Sequence, residues 1–89
     1  MKRFEDDTSR EVYETRFSAH VPKAVAVKAH VRMHVLVAAR SLQDIGVLGN
    51  ILRWANSPER LGLEVDGKWH VTFSWSPDLG AYGIRLERR

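Results

Sequence analysis

Seven basic or imidazole side chains lie in the second half of this sequence: Arg53, Arg60, Lys68, His70, Arg85, Arg88 and Arg89. Histidine exchanges protons near neutrality and serves as acid or base. The arginine fork matches the oxygens of a phosphate. Together these types fit cleavage of RNA through its 2′-hydroxyl. That reaction needs a base, an acid for the leaving 5′-oxygen and positive charge on the phosphorane-like transition state. His70, Arg53 and Arg85 are the catalytic candidates; Arg60, Lys68, Arg88 and Arg89 are candidates for holding phosphate. Thr72, Ser74 and Glu87 are weaker ones. The same residues on a solvated face with a basic tail would do no chemistry, and both readings stand at this level.

Other chemistries find less support. His30 and His34 lie at i and i+4, one face of a helix, but the zinc-protease pattern needs Glu where this chain has Val31, and no third ligand is singled out by spacing. They read as surface or boundary histidines, and no metal is expected. Gly46, Gly49 and Gly67 lack the spacing and the strand–helix context of a phosphate loop. Nothing marks a strained elbow or an orienting acid around Ser74 and His70. Cysteine is absent, which removes disulfides and thiolate metal sites. No cofactor is expected.

The elements that must position these groups are clearest at residues 61–87. Residues 68–75 alternate strictly, with Trp69, Val71, Phe73 and Trp75 on one side and Lys68, His70, Thr72 and Ser74 on the other, as in a half-buried strand. Asp66-Gly67 before it suits a type I′ hairpin turn after the strand 61–65. Ser76–Gly80 forms a second turn, and 81–87 alternates again with Tyr82, Ile84 and Leu86 on the core face. A three-stranded meander follows, its polar face carrying Glu64, His70, Thr72, Ser74, Arg85 and Glu87. Upstream, Phe4 suits an edge strand. Thr8 and Glu11 make a capping-box pattern for a helix over about 9–16, with Val12 and Tyr13 inward.

Residues 21–40 are ambiguous. Apolar residues at odd positions from Val25 to Val37 score as a strand, yet one too long for the usual range of about 3–10 residues. Pro22 suits a first helical turn and the alanines favour helix. On a helical wheel Ala24, Val27, Val31, Val35 and Ala38 form a continuous stripe. Gly46 and Gly49 bracket a connection, 51–54 is a brief strand, and Asn56-Ser57-Pro58 is a turn. The order (β)-α-α-β-β-β-β predicts one α+β domain over residues 1–89, helices covering one face of an antiparallel sheet.

At 89 residues the chain suits one modest core, with 44% hydrophobic and 28% charged residues. No run approaches the roughly 18–20 apolar residues of a membrane span, and the N-terminus lacks a signal-peptide core. A cytoplasmic location without membrane contact is expected. A net charge of +3 and a pI near 9.7 permit nucleic-acid binding.

Three stretches carry a resemblance. The run Ala39-Arg40-Ser41-Leu42-Gln43-Asp44-Ile45-Gly46-Val47-Leu48-Gly49-Asn50 is similar to "AAxSLxDLrvPPGN". Arg60-Leu61-Gly62 follows. Val65-Asp66-Gly67-Lys68-Trp69-His70-Val71-Thr72-Phe73-Ser74-Trp75 resembles "ixINdqWRvtFrW". These are patterns of the HigB toxins, the plasmid maintenance killer branch of the RelE/ParE superfamily, and Lys2-Arg3-Phe4 and Val12–Thr15 fit that family's opening. The resemblance implies a RelE-like fold, two N-terminal helices packed on a twisted antiparallel sheet of three to four strands, with 21–40 as the second helix. It implies a toxin that cuts mRNA in the ribosomal A site and is held by a helix-turn-helix antitoxin of HigA type, which alone contacts operator DNA. The chain departs from the pattern at His70, where the family has Arg, and at Arg53 and Asn56, where it has His and Lys. It also ends in Leu86-Glu87-Arg88-Arg89 where the family has Tyr-Xaa-Asp-Tyr-His. Either His70 takes over proton transfer while the arginines hold phosphate, or cleavage is lost and a gyrase- or ribosome-binding inhibitor or antitoxin-binding protein remains.

Overall fold

The computed structural model describes residues 3–47, 51–53 and 60–88. Its longest element settles the ambiguous segment: α2 (Lys23–Ala38) is a helix of 16 residues. As a strand the same residues would span about 53 Å, beyond the molecule's longest dimension of 33 Å. As a helix they span about 24 Å. Val25, Ala26, Ala29, Met33 and Leu36 face the core. The stripe of Ala24, Val27, Val31, Val35 and Ala38 therefore points the other way.

Helix α1 (Asp7–Thr15) starts two residues earlier than the capping-box pattern implies. Its cap is Asp6, whose carboxylate accepts from the Ser9 N–H at 2.7 Å. It ends at Arg16, which takes the left-handed conformation at φ 62° and donates its N–H to Val12. A short helix not anticipated from the sequence, α3 (Leu42–Gly46), is closed by a Ser41–Asp44 capping box.

Four strands follow: β1 (Ile51–Arg53), β2 (Leu61–Asp66), β3 (Trp69–Ser76) and β4 (Gly80–Arg88), antiparallel in the order β1-β2-β3-β4. The described residues are thus α+β, with three helices and a four-stranded antiparallel sheet. Phe4 joins by a parallel bridge to Ile84 beside β4, and the buried Ser9 hydroxyl accepts the Leu86 N–H at 2.9 Å, tying α1 to that strand. The core lies between helices and sheet, where Val12, Met33, Leu36, Ile45, Leu63, Val71, Phe73 and Ile84 are buried. Among the described residues no helix is long and apolar enough to cross a membrane.

Two turns of the backbone revise the expected pattern. The β2–β3 hairpin is not type I′: Asp66 pairs with Trp69, and only Gly67 takes a positive φ, 58°. More consequential is β4. Thr72 pairs with Arg85 and Ser74 with Tyr82, so Gly83 and Ile84 together oppose Phe73. This is a bulge, and Gly83 supplies its left-handed residue at φ 59°. The extra residue reverses the alternation, so Tyr82 shares the face of Ser74 rather than the core face of Ile84 and Leu86. The expected Asn56-Ser57-Pro58 turn lies outside the described residues.

Candidate functional site on the polar sheet face

Directly opposed residues of an antiparallel pair point to the same side of a sheet, so the register sorts the candidates. One row runs Glu64–His70–Glu87 and the next Gly62–Thr72–Arg85, followed by Ser74–Tyr82. These rows form the face turned away from the helices. Arg53 opposes Leu61, and Leu61 opposes Phe73, which places Arg53 with the other face. Arg88 opposes Trp69 and goes with it. Lys68 is exposed in the hairpin loop, and Arg89 lies outside the described residues. The predicted basic cluster is therefore split: His70, Arg60 and Arg85 share a region, whereas Arg53 and Arg88 do not. A one-residue offset in strand parity is enough to divide them.

Arg60 is the centre of this face. Its guanidinium donates from Nη1 to Ser74 Oγ at 3.2 Å and from Nη2 to Thr72 Oγ1 at 2.9 Å. Thr72, fully buried, donates its single hydroxyl proton to the Glu87 carboxylate; the Arg85 carbonyl at 3.4 Å is the weaker alternative. An arginine, a hydroxyl and a carboxylate thus lie in series, with Tyr82 opposite Ser74. Gly83 makes the arrangement possible. A Cβ there would stand 2.8 Å from Glu5 Oε1 and 2.9 Å from Arg60 Nη1. The bulge is thus at once the reason Tyr82 turns onto this face and the floor on which Arg60 lies. Two of the guanidinium's N–H donors are used by the hydroxyls.

His70 departs from expectation. It is on the polar face but only 4% exposed, with Nδ1 3.1 Å from the Lys68 carbonyl. A ring nitrogen facing a carbonyl carries the proton. The physical reason for its burial is position: β3 is an interior strand, paired on both sides, and His70 stands between Glu64 and Glu87. Arg85 is exposed and pairs with Asp6 at 3.4 Å, so it ties the start of α1 to β4 at the rim of the face.

The sequence reading missed Tyr82 as a member of this face. The available signal was Gly83, since an isolated glycine inside a strand pattern marks a bulge. His30 and His34 have a different occupation. They stand beside the last turn of α1, His30 Nδ1 3.1 Å from the Val12 carbonyl and His34 Nε2 3.2 Å from that of Tyr13. The His34 ring also stacks on Tyr13 at 4.3 Å. The Val12 carbonyl also accepts the Arg16 N–H at the end of α1. A hollow of about 480 Å³ elsewhere, on α1, is lined by Asp7, Glu11 and Glu14 together with Arg10, which pairs with Asp7 and Glu14, and His20.

Compared with models of known protein families and with curated proteins, the chain matches none.

Proposed function

We propose that this protein is a toxin of the HigB type that engages RNA on the ribosome with its polar sheet face and cleaves mRNA during translation. The observation that carries the reading is Arg60, fixed by the Thr72 and Ser74 hydroxyls beside Tyr82 and Glu87. A guanidinium held before the substrate arrives stabilises phosphorane charge without reorganisation. The proton steps belong to the half-buried Glu87 and Tyr82, with His70 opposite Glu87 on β3, because a ring 4% exposed does not meet a scissile phosphate directly. In the cleavage a base takes the 2′-hydroxyl proton, the 2′-oxygen forms its bond to phosphorus, and the 5′-oxygen departs with a proton from the acid. The helices-then-meander order agrees with the RelE-like fold that the resemblance implies. On this reading the regulatory partner is a HigA-type helix-turn-helix antitoxin.

A second reading, inhibition without cleavage, is favoured by the burial of His70. In vitro translation with primer extension on the mRNA separates the two. Wild type should produce ribosome-dependent cuts, and Arg60→Ala and Glu87→Gln should each reduce them by about a hundredfold while keeping the wild-type circular dichroism spectrum. Blocked translation with intact mRNA would replace the nuclease by the inhibitor. Unimpeded translation would end both.

A further inference from the structure

Helix α2 is apolar on two opposite faces. One is the core face; the other carries Ala24, Val27, Val31 and Ala38, all exposed, with Val35 half-buried at its edge. Val27 and Val31 are 42% and 52% exposed. Their spacing places them on one line, as in the seam of paired helices. The charged residues flanking the seam share one sign. Lys28 and Arg32 border one side; Lys23 borders the other, beside the imidazoles of His30 and His34. The helix from Lys23 to Ala38 contains no aspartate or glutamate. Among these cations Lys28 meets Asp66 at 3.4 Å, whereas Arg32 bonds only backbone carbonyls, of Glu64 and Lys28, and so keeps its full charge outward. Lys23 stands in the first turn, where the helix dipole disfavours a cation and favours an acid. Pro22 gives that end no side-chain cap.

We infer that the outer face of α2 is a docking surface for an acidic amphipathic helix, one with aliphatic residues along its seam and Glu or Asp on both flanks. Alanine and valine in the seam let a partner backbone come close, and carboxylates on its flanks meet Lys23, Lys28 and Arg32. Charge decides the occupant. A second copy of this chain would bring the same three cations against one another, and like charges in facing positions oppose association. The inference rests on α2 alone and is independent of the chemistry of the sheet.

The test uses the intact protein and a fluorescent synthetic peptide of about three heptads, Leu and Ala in its seam and Glu on its flanks. A second peptide carries Lys on the flanks. The Glu peptide should bind at least about tenfold more tightly than the Lys peptide, with chemical-shift changes centred on Val27 and Val31. Val31→Glu, a substitution at an exposed helix position, should abolish that binding and leave the circular dichroism spectrum unchanged. Lys23→Glu combined with Lys28→Glu should reverse the preference between the peptides. Equal binding of both peptides, or of neither, overturns the inference. So does a concentration-dependent dimer in sedimentation that Val31→Glu removes, or Val31-dependent binding to phosphatidylserine vesicles in place of the peptide.

Discussion

Val71 and Thr72 are neighbours on β3, both fully buried, and they are buried against opposite kinds of matter. Val71 points to the helices and lies with Phe73, Leu63 and Met33 in a core of hydrocarbon. Thr72 points away from them and lies under Arg60 and Glu87, with its hydroxyl satisfied twice. The first face is held by removal of apolar area from water, which tolerates sliding. The second is held by directional bonds, which do not. The aliphatic face therefore determines whether the sheet forms, and the polar face determines where one guanidinium sits. A stable scaffold and a hydrogen-bonded polar face are built back to back on the same two strands.

The comparison is broken most severely from the aliphatic side. Phe73→Ala should cost about 3–5 kcal/mol, a large part of a small domain's stability, and denaturant unfolding will show either a collapsed midpoint or no folded baseline. The reciprocal pair Val71→Thr and Thr72→Val sharpens the contrast at nearly constant shape. Each should cost about 1–3 kcal/mol, the first by burying a hydroxyl among hydrocarbon, the second by depriving Arg60 and Glu87 of their shared partner. Only Thr72→Val should also lower mRNA cleavage beyond what its loss of stability explains, read in translation assays well below its unfolding midpoint. Gly83→Ala should cost about 1–2 kcal/mol from the left-handed backbone. The atoms it meets are the ends of the flexible Glu5 and Arg60 side chains. Its main effect should be to push Arg60 aside and, on the proposed function, to weaken RNA binding, measurable by anisotropy with a labelled oligonucleotide. Arg85→Ala should be mildest, about 0–1 kcal/mol, because its pair with Asp6 is half exposed; the difference from wild type should shrink further as salt is raised.

The strands expected at 61–65, 68–75 and 81–87 fall within one residue of β2, β3 and β4, because alternation in a half-buried strand is a local property of the chain. The polar membership of His70, Thr72, Ser74, Arg85 and Glu87 followed from the same parity. Tyr82 was not assigned correctly, since one extra residue at the Gly83 bulge reverses parity without changing composition. Arg53 joined the wrong group because nothing local to β1 states which residue of β2 it opposes. The Ser41–Asp44 capping box, in contrast, is a short-range signal for α3 that stands in the sequence.

What the residues determined by themselves is the set of local preferences: the alternating strands, the turns at Gly67 and Gly80, the caps, and an excess of positive charge. Tertiary structure decided what those preferences left balanced. It made a helix of 23–38, because a valine pattern that alternates also fits a helix buried on one face, and only the size of the sheet it covers selects between them. It also decided which arginines meet and that His70 is buried, because register and strand order are relations between distant segments and no short stretch of sequence contains them.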